Sequence, residues 1–137
     1  MKTFFDSSSF AKRYIEEKGS QLVDDICQGA SYLSISVLCI PEIISALNRR
    51  IRERNLSQKD YYIIKRALSD DVRDILIINL TEEVISNSTK LLETSALRAM
   101  DALHIACALE WGAELFVSSD KKQLHAAGQA GLQTKFV

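Results

Sequence analysis

Residues 99–111 read AMDALHIACALEW. The segment holds no helix breaker, and its apolar side chains point in every direction around a helix, so the helix must be buried. Within this segment stand Asp101 and, one turn later, His104. An unpaired buried carboxylate is costly, so Asp101 requires a compensating partner.

The flanking sequence supplies the rest of the architecture. KTFF (2–5) reads as a short buried strand, with Ser7 to Ser9 as caps for a helix to about Lys18. A helix from about Ser20 to Gln28 stops at Gly29, and YLSIS (32–36) alternates as a strand does. Pro41 suits a first helical turn. Ile40, Ile43, Ile44, Leu47 and Ile51 follow at helical spacing to about Arg54. Ser57 and Asp60 open a helix ending near Asp71, and ILIIN (75–79) has the β-branched character of a fully buried strand. Thr81 caps a helix that starts with Glu82 and Glu83, acids suited to its positive end. The apolar helix ends at Gly112, ELFVS (114–118) is a strand, a short helix ends near Gly128, and LQTKFV is an edge strand. Strands alternating with helices imply one α/β domain over residues 1–137, with a short parallel sheet of four or five strands covered by helices on both faces.

In such a sheet every strand's C-terminal end and every following helix's N-terminal end share one edge, where open α/β sheets bind ligands. Asp6 follows the first strand, Glu42 lies in the first turn of the helix after the second, Asp101 opens the apolar helix, and Asp120 follows the ELFVS strand. Acids at helix starts are also ordinary caps, but four at one edge repel: two carboxylates ~4 Å apart cost roughly 4 kcal/mol at an effective dielectric of about 20. A cation relieves this, and an all-oxygen donor set suits Mg²⁺ or Mn²⁺. A hydrated divalent ion held by carboxylates suits phosphodiester hydrolysis. The expectation is a metal-dependent nuclease or phosphatase.

These residues resemble a known family. FFDSSSFAKRY, PEIISAL and above all LRAMDALHIACALEWGAELFVSSDKKQLHAAGQAGL resemble the motifs of a PIN domain, and within that group a VapC-type toxin ribonuclease, over essentially the whole chain. The resemblance implies a three-layer sandwich, and the strand order 3-2-1-4-5 follows by analogy. It implies Asp6, Glu42, Asp101 and Asp120 as catalytic and metal-binding acids, Ser8 and Ser118 as supporting hydroxyls, and Mg²⁺ or Mn²⁺ as cofactor. It further implies RNA as substrate, a homodimer and a small antitoxin as partner. Two alternatives within the family are a PIN nuclease of RNA processing and a PIN module that binds RNA or a partner without cutting.

Net charge is −1, so attraction of RNA falls to a local basic rim. Lys12, Arg98 and Lys121 flank the acids and are the expected substrate contacts, Lys12 also resembling a lysine common at this place in the family. Arg13 and Lys122 lie near them. Arg49, Arg50, Arg52 and Arg54 form a basic helix end, read first as a solvated face with a favourable dipole and alternatively as an RNA or partner contact. His104 reads as a hydrogen-bonded structural histidine rather than a general base, and His125 as a surface or packing residue. Tyr61 and Tyr62 are packing or dimer residues before they are base-stacking ones. Cys27, Cys39 and Cys107 fit neither a zinc pattern nor a disulfide framework, as expected of reduced thiols in a cytoplasmic protein. No apolar run approaches the ~18 residues of a membrane span.

Overall fold

The computed structural model describes residues 1–137. Five parallel strands, β1 (Lys2–Phe5), β2 (Tyr32–Ser36), β3 (Leu76–Ile78), β4 (Leu115–Ser118) and β5 (Gln133–Phe136), form one sheet in the order β3-β2-β1-β4-β5. Seven helices connect them: α1 (Ser7–Phe10), α2 (Ser20–Gly29), α3 (Cys39–Arg52), α4 (Gln58–Asp71), α5 (Glu82–Thr94), α6 (Ala99–Trp111) and α7 (Lys121–Gln129). The three-layer α/β sandwich and its strand order match the expectation.

Period-2 alternation splits the core in two. Phe5, Ile35 and Val117 point to one face, where α1 to α4 cover them with Phe10, Val23, Ile43, Leu47 and Leu68. Phe4 and Phe116 point to the other and stack with ring centroids 5.7 Å apart. There they meet Val84 of α5, Ile105 to Ala108 of α6 and Ala126 and Ala127 of α7. Helix α6 is wedged between the sheet and α5, which explains why no face of it is polar. Its C-cap is Gly112 at φ 75°, a left-handed conformation that suits glycine.

Two elements differ from expectation. The helix after Asp6 does not reach Lys18: α1 ends at Phe10 and a 3-10 turn (Ala11–Arg13) follows. Glu16 and Glu17 would oppose the negative end of a longer helix. The chain turns instead, fastened by the Ser20 hydroxyl, which accepts from the Glu17 N–H and donates to the Ile15 carbonyl. Strand β3 is not fully buried. It is an edge strand of three residues with Leu76 exposed, because its apolar run has a neighbour on one side alone.

The strand order reverses direction at β1, with β2 on one side of it and β4 on the other. The crevice beyond the C-terminal ends of β1 and β4 is therefore the topological switch point, where such sheets bind ligands. Asp6 and Asp120 stand at those two ends.

Candidate active site

Asp6 is the most constrained of the four acids. It caps α1, accepting from the Ser9 N–H at 2.9 Å and the Ser9 hydroxyl at 2.6 Å through Oδ1. Oδ2 accepts from the Ser118 hydroxyl at 2.7 Å and from Gln123 Nε2 at 3.0 Å. The Ser8 hydroxyl lies 3.1 and 3.0 Å from the two oxygens. Asp6 is 1% exposed; these donors satisfy a carboxylate that has left water. The strand-to-helix turn Asp-Ser-Ser-Ser has this role: the aspartate follows β1, and Ser8 and Ser9 close over it while Ser7 turns to Glu42.

Asp101 projects from the first turn of α6 toward Asp6. One amide joins them, because Gln123 Nε2 also donates to Asp101 Oδ1 at 3.1 Å. Burial raises the Asp101 pKa above the usual carboxylate range; Arg98 opposes the rise, and the charges of Asp120 and Asp6 add to it. Arg98 Nε stands 3.5 Å from Asp101 Oδ2 on a largely exposed side chain, so its screening by water is strong.

Glu42 belongs to a second cluster on the same cleft. Its Oε1 accepts from the Ser7 hydroxyl at 2.7 Å and meets His104 Nε2 at 2.6 Å. His104 Nδ1 lies 3.0 Å from the Ser36 hydroxyl, which accepts from the Leu38 N–H. Ser36 thus has its own hydrogen free for Nδ1, which leaves the ring hydrogen on Nε2 to donate to Glu42. Burial alone would raise the Glu42 pKa, but the bonds from His104 and Ser7, with the nearby charge of Arg98, bring it below the ordinary value. Asp120 caps α7, accepting from the Lys122 N–H at 2.9 Å.

One cleft of about 260 Å³ is lined by Asp6, Ser7, Ser8, Glu42, Arg98, Asp101, His104, Ser119, Asp120 and Gln123, with no apolar member. The four expected acids therefore line one cavity, as do Ser8 and Arg98. No three of them converge as ligands on one point. The donor set still fits a hard, hydrated cation: it is all oxygen, Asp6 and Asp101 share one neutral amide, and the sole countercharge bonded to the pair, Arg98 on Asp101, is exposed and screened by water. Mg²⁺ commonly takes one or two carboxylates and keeps several waters, and Asp6 with Asp101 would provide these.

Two expected substrate contacts lie elsewhere. Lys12 is 9% exposed, and its ammonium donates to the main-chain oxygens of Lys18 and Val137, both at 2.8 Å. It is a buried clamp between the 3-10 turn and the end of β5. Lys121 Nζ sits 5.7 Å from the Phe136 ring centre and does not line the cleft; Lys122 borders a neighbouring hollow with Asp101 and Asp120. A groove of about 640 Å³ shares Ser7, Ser8, Glu42 and Arg98 with the cleft and runs out to Arg49 and Arg50. Sequence reasoning missed Gln123, Ser7 and Ser9 as site residues. For Ser9 the capping signal was present; for Gln123, three residues after Asp120 on α7, the helical spacing was the single clue.

Comparison with known proteins settles the family. The PIN domain model matches residues 3–129. The chain belongs to the PIN domain family. This PIN domain is 30% identical over 128 residues to "Ribonuclease VapC45" of Mycobacterium tuberculosis (strain CDC 1551 / Oshkosh), covering 93% of this chain and 89% of that protein. The figures are the same for "Ribonuclease VapC49" of Mycobacterium tuberculosis (strain ATCC 25618 / H37Rv). Among solved structures, the PIN fold superposes on VapC20 of Mycobacterium tuberculosis, described as a sarcin-ricin loop cleaving toxin. That match has a TM-score of 0.70 at 15% identity and covers 95% of each chain. It also superposes on VapBC-1 of nontypeable Haemophilus influenzae with a TM-score of 0.71 at 15% identity, covering 99% of this chain and 98% of that one.

Proposed function

We propose that this PIN domain is a metal-dependent endoribonuclease and the toxin of a type II toxin–antitoxin pair. The observation that carries the chemistry is the meeting of Asp6 and Asp101, from separate elements, through one amide in a wholly polar cleft at the switch point. The names of the curated relatives support ribonuclease activity.

Asp6 and Asp101 would hold a Mg²⁺ or Mn²⁺ ion, with Asp120 and Glu42 placed around it to act on its waters. When bound, such an ion lowers the pKa of a water and offsets charge on phosphate oxygens. The protein's own residues do the positioning. Ser8, Ser9 and Ser118 fix the plane of the Asp6 carboxylate. His104 and Ser7 hold Glu42 ionised and aimed into the cleft, where its second oxygen can accept a proton from an attacking water. Arg98 at the cleft, with Arg49 and Arg50 along the groove, offers a path for the phosphates of a single strand. Arg49 and Arg50 thus take the substrate role expected of Lys12 and Lys121.

An antitoxin partner fits the fold's likeness to a toxin–antitoxin complex from Klebsiella pneumoniae, and a homodimer neutralised by a small antitoxin is the assembly this reading implies. Exposed apolar residues suited to such contacts include Tyr62 and Ile63 of α4 and Ile85 and Leu92 of α5. No helix is long and apolar enough to cross a membrane, and a cytoplasmic site of action follows from an RNA substrate. The test is cleavage of a structured RNA pool by the purified protein. EDTA should stop it, and excess Mg²⁺ or Mn²⁺ should restore it. Undiminished cleavage in EDTA would refute the metal-dependent reading.

A further inference from the structure

Gln123 is 4% exposed, lies in the first turn of α7 and lines the acidic cleft. Both hydrogens of its amide nitrogen are committed, one to Asp6 Oδ2 at 3.0 Å and one to Asp101 Oδ1 at 3.1 Å. Its Oε1 is buried with no hydrogen-bond partner. An unmet buried acceptor is expensive, so this pose is maintained by what the nitrogen gains from the two carboxylates. We propose that Gln123 is a placeholder for the cation: its NH₂ bridges Asp6 and Asp101 when no ion is bound, and a divalent cation must displace it to bind. The inference rests on the reading that Asp6 and Asp101 hold the metal.

Two physical points carry it. The first is acceptor capacity. A carboxylate offers about four lone-pair sites, and Asp6 already receives the Ser9 N–H, the Ser8, Ser9 and Ser118 hydroxyls and the Gln123 amide. A cation that takes an Asp6 oxygen must expel a donor. The Ser9 N–H is main chain in the capped turn of α1, and Ser118 is fixed on β4, where its hydroxyl also accepts from the Asp120 N–H. The Ser8 hydroxyl can turn away to water but reaches Asp6 alone; Gln123 is the one donor that occupies an oxygen of both acids, it sits on a long side chain with several rotatable bonds, and leaving its pose frees its oxygen to find a partner.

The second point is mutual exclusion. The amide points its nitrogen at the carboxylates because they are negative. Once an ion neutralises them, the attraction for N–H falls and the nitrogen faces a cation. Bridge and ion therefore compete for the same two oxygens. Without an ion the bridge holds the two acids together, with the exposed Arg98 a weak, screened countercharge to Asp101 alone, at the expense of ion affinity.

The test uses Gln123→Met, which keeps length and bulk and removes the donor. Mn²⁺ binding is measured by calorimetry, and thermal unfolding is recorded in EDTA. The variant should bind Mn²⁺ roughly tenfold more tightly, about 1.4 kcal/mol, while unfolding at a lower temperature without metal. A merely structural glutamine would move stability and leave affinity equal or weaker, and that result overturns the proposal. Wild-type protein labelled with ¹⁵N gives an independent readout. The Gln123 side-chain amide signals should shift with Mg²⁺ at the midpoint of ion binding, and signals unmoved at saturation overturn it even if the variant does not fold. Ion binding by the wild type with unmoved Gln123 signals refutes this inference alone, whereas a wild type that binds no Mn²⁺ refutes the metal site together with it.

Discussion

His104 has a role that a pair of substitutions can measure. Its imidazole is 2% exposed and spans from Ser36 to Glu42. His104→Leu preserves apolar bulk and deletes both bonds. Loss of a hydrogen bond to a charged group costs about 1.5–3 kcal/mol, with the lower half appropriate here because the Glu42 side chain is 32% exposed and stays partly hydrated. The Ser36 hydroxyl, fully buried, loses the acceptor for its hydrogen, adding about 1 kcal/mol. The sum is about 3 kcal/mol. At an unfolding entropy of about 2.1 cal/mol/K per residue, a chain of 137 residues loses roughly 10 °C in Tm. His104→Gln places an amide nitrogen the same number of bonds from Cβ as Nε2, so it can still donate to Glu42, and it should recover about half of the loss. The assay is thermal unfolding followed by circular dichroism at pH 7. A His104→Leu Tm within about 2 °C of wild type, or a Gln variant no better than Leu, would refute the assigned bonding.

Glu42 carries a pH signature. Its folded pKa lies below the ordinary glutamate value of about 4.5, so its stabilisation is fully present above about pH 4.5 and is lost as pH falls through the folded pKa. In urea unfolding, the advantage of wild type over Glu42→Gln should be flat from pH 7 to 5.5 and shrink below pH 4.5; an advantage that grows on acidification contradicts the assigned shift. Lys12→Met should lower Tm by several degrees, since two charge-assisted bonds to main-chain oxygens are lost, while RNA affinity stays within about twofold in a filter-binding assay. A large drop in affinity with unchanged Tm would return Lys12 to the substrate path.

What could be read from the chain alone divides along physical lines. Apolar periodicity and glycine punctuation located every strand and nearly every helix, because burial is what those patterns encode. The same logic sent Asp6, Glu42, Asp101 and Asp120 to one edge before any coordinates. It failed where the outcome depends on neighbours in space. ILIIN has the composition of a central strand, but the sheet order leaves β3 at an edge. Lys12 has the charge of a substrate contact, but the 3-10 turn directs its ammonium to the oxygens of Lys18 and Val137. Gln123 carries no charge and stands out in no motif, and its significance arises from two aspartates meeting its amide. Likewise His104 reads as a structural histidine, in keeping with its burial, while its contact with Glu42 emerges once α6 packs on β2 and meets the first turn of α3 at the sheet edge.

The central claim is that Asp6 and Asp101 form the centre that cleaves RNA. Asp101→Asn tests it most directly: it removes one charge while keeping the size and shape of the side chain. Single-turnover cleavage of RNA should be compared for wild type and Asp101→Asn in saturating Mn²⁺, with circular dichroism confirming equal folding. The expected result is a loss of at least about a hundredfold in rate, on the scale of removing one preorganised electrostatic contact in an active site. Cleavage by folded Asp101→Asn within a few-fold of wild type would contradict the account.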